Sequence, residues 1–317
     1  MMLAGLNGGN HYGKAVANGQ EIIIPAFVAP GRERSLVNSK EHLDDLDVTI
    51  NDSWSFVGNL AKKYSDTLIG YEKKKATHDV TKTVLLTMAA YLSDRQYLSC
   101  SPVTCLPISD YRVQRKTFAR NLEGIYRIKF PFKVVNLEVV DVTVAPEAGC
   151  AAWDLFLDNN GRVIDGYSFK NIGVIDVGSR TTNVTAMYQM TYQDELSDTL
   201  APLGMWAAYN DMQKEIKLQK DILIHQVEDN LDLINPAPYY KNLANAVVQQ
   251  IMIGPWKSQP RFDAIVICGG GAIPLFPHFK TIWSNAILHP RPITANAWGC
   301  YKLAVARNDE IKCVHRV

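Results

Sequence analysis

The chain has 317 residues and a formal net charge of +1, with 47% hydrophobic and 21% charged residues. That length allows two domains, each with its own core. The near-zero charge gives no electrostatic case for direct nucleic-acid binding or membrane adsorption, and no apolar run approaches the roughly 20 residues a spanning helix needs.

Met1–Leu6 lacks the basic region and long apolar core of a signal peptide. The six cysteines, Cys100, Cys105, Cys150, Cys268, Cys300 and Cys313, are scattered and form no C-x-x-C pair. They read as buried, reduced thiols of a cytoplasmic protein rather than a metal site or disulfide frame.

Residues 2–10 are a short apolar strand running into a glycine-rich turn. His11–Val16, with Lys14 on it, is the return strand, and 21–28 is a third, making a meander. Residues 29–45 read as an exposed loop. Asp47–Asn51 suits a strand, and the spacing of Val57, Leu60, Ala61 and Tyr64 predicts a short helix over Trp54–Tyr64. The Lys73–Lys75 run reads as a solvated helix start or loop. Thr77–Ser93 is an amphipathic helix with Val80, Val84, Leu85 and Met88 on one face. A core strand over Leu98–Leu106 and a basic helix over Tyr111–Leu122 follow, then strands over 125–130 and 134–144.

At Val144-Ala145-Pro146-Glu147 a strand meets a helix that runs to about Leu157. Glu147 is placed either to project from that corner or to favour the dipole in the first helical turn. Residues 172–184 form a second hairpin, apolar on both arms, with Asp176, Gly178, Ser179 and Thr181 around its turn. Glycine there admits close approach of backbone amides to phosphate, and the aspartate can hold a cation through water. Asp, Gly and Ser also suit an ordinary surface turn, so the other half of a nucleotide clamp decides the reading. The first hairpin, with Asn7, Gly9 and Asn10, is similar in composition, which suggests a duplicated architecture. No Walker-type glycine loop ending in Gly-Lys is present.

Met187–Met190 extends the second sheet. Leu203–His225 is mostly helix, 226–240 a polar connection and Leu243–Ile253 a helix. Ala264–Cys268 is a buried parallel strand, and it ends in Gly269-Gly270-Gly271, where backbone passes close to a ligand. Phe276–Trp283 is a short helix, and Ala295–Cys300 opens a terminal helix whose small residues permit tight packing.

Taken in order, these stretches resemble the actin, sugar-kinase and heat-shock-chaperone superfamily, and within it the plasmid actin-like proteins of the ParM type. Besides the hairpins, Phe56–Ala61, Cys105–Tyr111, Val144–Glu147 and Ala295–Gly299 are similar to segments of that group. The resemblance implies an α/β actin-like fold, with two related domains and a nucleotide cleft between them. Domain I would span 1–165, with a small subdomain at about 29–75, completed by the helix at about 296–317. Domain II would span 166–295, with a small subdomain at about 190–260.

The resemblance also implies roles. Asn7, Gly9, Asn10 and Lys14 would form the first phosphate loop, and Asp176, Gly178, Ser179 and Thr181 the second. Glu147 would orient the attacking water, and Asp176 would be the second catalytic residue, the acidic side chain that holds Mg2+ through water. Gly269, Gly270 and Gly271 would pass beside the ribose and α-phosphate, and Gln213 and Lys214 would approach the base. The nucleotide would be ATP, or GTP, since backbone glycines do not read the base. Asn7 departs from the usual aspartate, and Arg180 from the usual small residue.

The implied function is a cytoplasmic filament-forming ATPase in plasmid or DNA segregation. Its partners would be its own copies and a DNA-binding adaptor of the ParR type, with no direct nucleic-acid or membrane contact. A small-molecule kinase of the superfamily is the alternative, disfavoured because Glu147 stands where such a kinase needs an aspartate base. A non-hydrolysing structural homologue is a third reading.

Overall fold

The structure is a computed structural model. It describes all residues except 36–41, 65, 70–76 and 315–317, together with the side chains of 69 and 310–314. The Lys73–Lys75 run, the middle of the 29–45 loop and the Cys313 thiol lie outside the described residues.

The chain divides into two compact units, one of Met1–Ile164 with Asn296–Val317, the other of Asp165–Ala295. The first begins with β1 (Met2–Gly8), β2 (Tyr12–Ala17) and β3 (Gln20–Pro25), then β4 (Phe27–Pro30), β5 (Leu46–Ile50), β6 (Ser53–Val57) and β7 (Leu68–Ile69). Next come α1 (Asp79–Tyr91), β8 (Tyr97–Leu106), α2 (Ile108–Leu122), β9 (Gly124–Lys129), β10 (Val134–Val139), β11 (Thr143–Pro146) and α3 (Gly149–Phe156). The second unit holds β12 (Asn171–Val177), β13 (Thr182–Tyr188), β14 (Thr191–Leu200), α4 (Met205–Ile216), α5 (Ala237–Ile253), β15 (Ala264–Cys268), α6 (Ala272–Ile282) and β16 (Ala286–Leu288). The terminal helix α7 (Ala295–Val314) returns to the first unit.

In the first unit the strands lie in the order β3-β2-β1-β8-β10-β9-β5-β6-β4-β7, and β11 pairs with the far end of β8. In the second the order is β14-β13-β12-β15-β16. The run β3-β2-β1-β8-β11 has the same plan: an antiparallel meander joined through its first strand to two parallel strands. The duplicated architecture expected from the two hairpins is thus present in the strand pairing.

Each unit has its own core. Val80, Val84, Leu85 and Met88 of α1 pack over the first hairpin, so closely that a Cβ on Gly13 would come 2.6 Å from Val84 and one on Gly8 2.8 Å from Thr81. The second core gathers Ile175, Val184, Met212, Val247, Trp256, Ile267 and Phe279. Burial of such side chains contributes roughly 1.5–3 kcal/mol each. Helix α7 packs tightly through small residues, as read: a Cβ on Gly5 of β1 would overlap the Ala297 carbonyl oxygen, and one on Gly299 that of Cys150.

Several local expectations are corrected. Trp54–Tyr64 is not a helix. Ser53–Val57 is strand, paired with β5 across a turn in which Asn51 takes a left-handed φ of 53°, and only Ala61–Lys63 coils into a 3₁₀ turn. The apparent helical spacing came from joining the end of a strand to that turn. The 21–28 strand is two, because β4 leaves β3 at Pro25 to pair with β6. The 134–144 run is also two strands, broken where Asp141 adopts φ 54°. The described part of 29–45 is not wholly exposed: Arg34 bonds Asp45 at 2.7 Å and Asp47 at 3.2 Å with little of its side chain exposed.

In the second unit, the expected extension over Met187–Met190 stops at Tyr188, where Gln189 and Met190 turn the chain at positive φ into a further full strand, Thr191–Leu200. The Leu203–His225 helix stops at Ile216, and α5 begins at Ala237, inside the expected connection. Helix α2 starts at Ile108, ahead of the predicted Tyr111.

Candidate functional site

The first loop is three residues long, Gly9 to His11, between β1 and β2. Asn7, second from the end of β1, faces Lys14 across the antiparallel pair. A Cβ on Gly9 would overlap the Tyr12 carbonyl oxygen and sit 3.3 Å from the Lys14 Nζ, so the ammonium lies over a turn that only glycine fits. Asn7 is buried, and its Oδ1 has no hydrogen-bond partner among the described residues. Asn7, Gly9, Asn10 and Lys14 are therefore together at one hairpin end.

The second loop, Gly178 to Thr181, joins β12 to β13 and closes on itself through Gly178 N–H to the Thr181 carbonyl at 2.9 Å. Asp176 is second from the end of β12, buried, and faces Asn183 on β13 and Cys268 on β15. The first amides of α4 hold the loop from behind: Met205 N–H donates to the Gly178 carbonyl at 3.0 Å and Trp206 N–H to that of Ser179 at 2.8 Å. The Thr182 hydroxyl donates to the Leu203 carbonyl at 2.5 Å.

Gly269 follows β15 with φ 89°, a conformation that strongly favours glycine. A Cβ there would overlap the Val177 carbonyl and the Asp176 Oδ1. Gly271 N–H donates to the Val177 carbonyl at 3.0 Å, while Gly270 has open space where its Cβ would be. The structure thus brings Asp176, Gly178, Ser179, Thr181 and the triple glycine together within the second unit.

Glu147 follows β11, whose last residue pairs with Leu106 at the end of β8. Its N–H donates to the Leu106 carbonyl at 2.8 Å, and its side chain is buried. The next residue, Ala148, has φ 65° and caps α3. Glu147 is therefore outside the first helical turn, at the strand-to-helix corner. Lys214 is on the exposed face of α4, bonded to Asp211 at 2.7 Å, and the Gln213 amide donates to the Ile222 carbonyl at 2.7 Å. Neither of these two is drawn to the loop residues.

Two supporting roles went unread in the sequence, although Asn296 lies in the Ala295–Gly299 segment. Gly204 meets the Arg180 backbone so closely that a Cβ at 204 would come 2.6 Å from the Arg180 nitrogen. The Asn296 Oδ1 accepts the Ala148 N–H at 3.1 Å and so fixes the Glu147 corner. The only signals are a glycine before a helix and an asparagine beginning one, and both are common for capping alone.

The loop residues suit a nucleotide and a hydrated cation. In the first unit the Asn7 Oδ1 is a buried acceptor without a donor among the described residues, beside the positive charge of Lys14. In the second unit Asp176 offers a carboxylate, and in each loop the glycines leave backbone where a side chain would block a phosphate.

Residues 5–149 match the family described as "Actin like proteins N terminal domain", and residues 174–281 the "Archaeal actin homologue MreB-like, C-terminal". No curated protein sequence matches the chain significantly. Among solved structures, the chain is similar to the actin-like protein Alp7A, with TM-score 0.81, 15% identity, and 99% of this chain and 98% of that one covered. It is also similar to the protein of a 15-stranded ParM filament from Clostridium botulinum, with TM-score 0.76, 23% identity, and coverage of 96% and 98%. A third is an archaeal actin homologue in complex with ADP, with TM-score 0.79, 19% identity, and coverage of 97% and 100%. The fold is actin-like, and both matched family models describe actin-like proteins.

Proposed function

We propose that this actin-like protein binds and hydrolyses ATP, or GTP, and that the nucleotide governs its assembly into filaments. The observation that carries the reading is the buried, unpartnered Asn7 Oδ1 beside Lys14 and Gly9. Leaving a buried acceptor unbonded costs about 1–3 kcal/mol, a cost that a ligand at the loop offsets. The fold shared with the ParM filament and the ADP-bound archaeal homologue supports the same reading.

In this proposal Asn7, Gly9, Asn10 and Lys14 contact phosphate from one loop, and Gly178, Ser179 and Thr181 from the other. Gly269, Gly270 and Gly271 pass beside the sugar and α-phosphate, and Lys214 would leave Asp211 to reach the base. Asp176 would hold Mg2+ through water, and the Asn7 Oδ1 would accept from a donor on the bound ligand. The Mg2+, when bound, neutralises charge on the phosphate oxygens. Glu147 orients the attacking water and accepts its proton as the P–O bond to the leaving nucleoside diphosphate breaks.

We assign the biological role to plasmid or DNA segregation, with a DNA-binding adaptor of the ParR type. The net charge of +1 agrees with indirect DNA contact. Among the described residues no helix is long and apolar enough to cross a membrane.

Light scattering with ATP, with ADP and without nucleotide, read alongside phosphate release, tests the proposal. Scattering that rises with ATP and decays as phosphate appears supports it. A chain that stays monomeric throughout, or scatters equally without nucleotide, refutes the coupling.

A further inference from the structure

Away from the loops, the first unit contains three converging cysteines. Cys105 lies near the end of β8, Cys150 in the first turn of α3 and Cys300 in the first half of α7. Their sulfurs all lie within 4.8 Å of one another, the Cys300 thiol donates to the Cys150 sulfur at 3.4 Å, and all three residues are buried. Val103 and Ala304, with Leu3, Ala145 and Leu303, surround them. Gly299 makes this possible: a Cβ there would overlap the Cys150 carbonyl oxygen, so only glycine lets α7 settle onto α3 beside Cys300.

Single buried cysteines behave as small hydrophobes. Three from separate elements, with sulfurs facing one point, are a different arrangement. An ion about 2.3 Å from each sulfur holds them roughly 4 Å apart, within the span observed here. Hydrogen bonds from Cys105 and Cys300 hold the Cys150 thiol down to about 6. Cys105 is pushed well up by its thiol hydrogen bonds, and Cys300 by burial.

We propose that Cys105, Cys150 and Cys300 form a thiolate site for one soft d10 cation, Zn2+ or Cu(I), inside the first unit. Each thiol that binds gives its proton to solvent. Three sulfurs alone satisfy Cu(I), whereas Zn2+ takes a fourth ligand. The ion ties β8, α3 and α7, the three elements that fix the Glu147 corner through the Leu106 carbonyl and the Asn296 side chain. Its effect is to stiffen that corner, and its existence does not depend on nucleotide hydrolysis.

The test uses the full chain, reduced and kept anaerobic. One arm titrates Zn2+ against a chromogenic zinc chelator, the other Cu(I) against a colorimetric Cu(I) chelator. A second chain carrying Cys100→Ala, Cys268→Ala and Cys313→Ala retains only the three proposed ligands. Both chains are expected to take one equivalent of one of the two ions from its chelator, develop a thiolate-to-metal charge-transfer band and unfold at higher temperature. Cys150→Ala and Cys300→Ala, checked for folding by circular dichroism, should each lose the uptake and the band. The proposal is overturned if the unaltered chain takes up neither ion, however the variants fold. It is equally overturned if folded Cys150→Ala binds as before, or if a Cys150–Cys300 disulfide forms and no metal enters after its reduction.

Discussion

Asn7→Ala separates a residue kept for the fold from one kept for a ligand. A buried asparagine that serves the fold has its bonds made, and removing it costs about 1–3 kcal/mol. Here the Oδ1 has no partner among the described residues, so truncation relieves a desolvation cost of about 1–3 kcal/mol. The small cavity left in the apolar strand pairing works against that by roughly 1–2 kcal/mol. The two offset, and the nucleotide-free chain should unfold in urea within about 1 kcal/mol of the parent. Nucleotide binding should behave oppositely: losing one ligand hydrogen bond worth about 1–2 kcal/mol weakens affinity about 5- to 30-fold. Tryptophan fluorescence in urea reads the first quantity, and calorimetric titration with ATP and Mg2+ the second. A variant destabilised by more than about 2 kcal/mol whose ATP affinity is unchanged would show that Asn7 serves the fold, and the argument from the orphaned oxygen would fail.

Three further outcomes follow from packing and charge. Gly269→Ala forces a side chain into φ 89° and onto the Val177 carbonyl and the Asp176 carboxylate; it should lower stability by more than about 1–2 kcal/mol and weaken nucleotide binding, as read by thermal melts with and without ATP. Gly299→Ala places a methyl on the Cys150 carbonyl and should cost about 3 kcal/mol or more, where an unchanged melting temperature would contradict the close helix crossing. Lys302 and Asp154 form an ion pair at 2.8 Å with both side chains almost wholly buried. Asp154→Ala should therefore cost about 3–5 kcal/mol, and adding Lys302→Met should recover much of it in urea melts.

The fold was legible where residues act through a local pattern. Asn7-Gly8-Gly9-Asn10 and Asp176-Val177-Gly178 mark hairpin ends because such turns need glycine and polar caps. Ala264–Cys268 reads as a buried strand because it carries no polar residue. The errors fall where local pattern and long-range pairing disagree. Ser53–Val57 has a weak strand signal of its own and is strand because β4 and β5 supply partners on both sides. Thr191–Leu200, polar along one face, drew no reading from its composition and is strand through its pairing with β13. At the site, the loop residues were legible, whereas Gly204 and Asn296 act on backbone brought near by the fold. The three cysteines lie 45 and 150 positions apart in sequence, and no spacing rule joins them; only the packing of α3 and α7 beside β8 does.

The duplicated strand plan makes the two loops comparable position by position. Asn7 and Asp176 are each second from the end of the first strand of a meander, each buried, and each faced by one residue of the second strand. Across from Asn7 stands Lys14, and across from Asp176 stands Asn183, whose Oδ1 already accepts from the Thr199 hydroxyl at 2.8 Å. One loop thus pairs a neutral acceptor with a cation, and the other a carboxylate with a neutral amide. Under the proposed function these are complementary tasks. A cationic loop attracts phosphate oxygens, while an acidic one attracts the counter-ion that accompanies them. An aspartate at position 7 would sit opposite Lys14 and be drawn into an ion pair with it, taking the lysine from phosphate. Asparagine keeps an acceptor without competing for that lysine, so the departure at position 7 fits the proposed nucleotide binding and would leave the proposed metal role to Asp176.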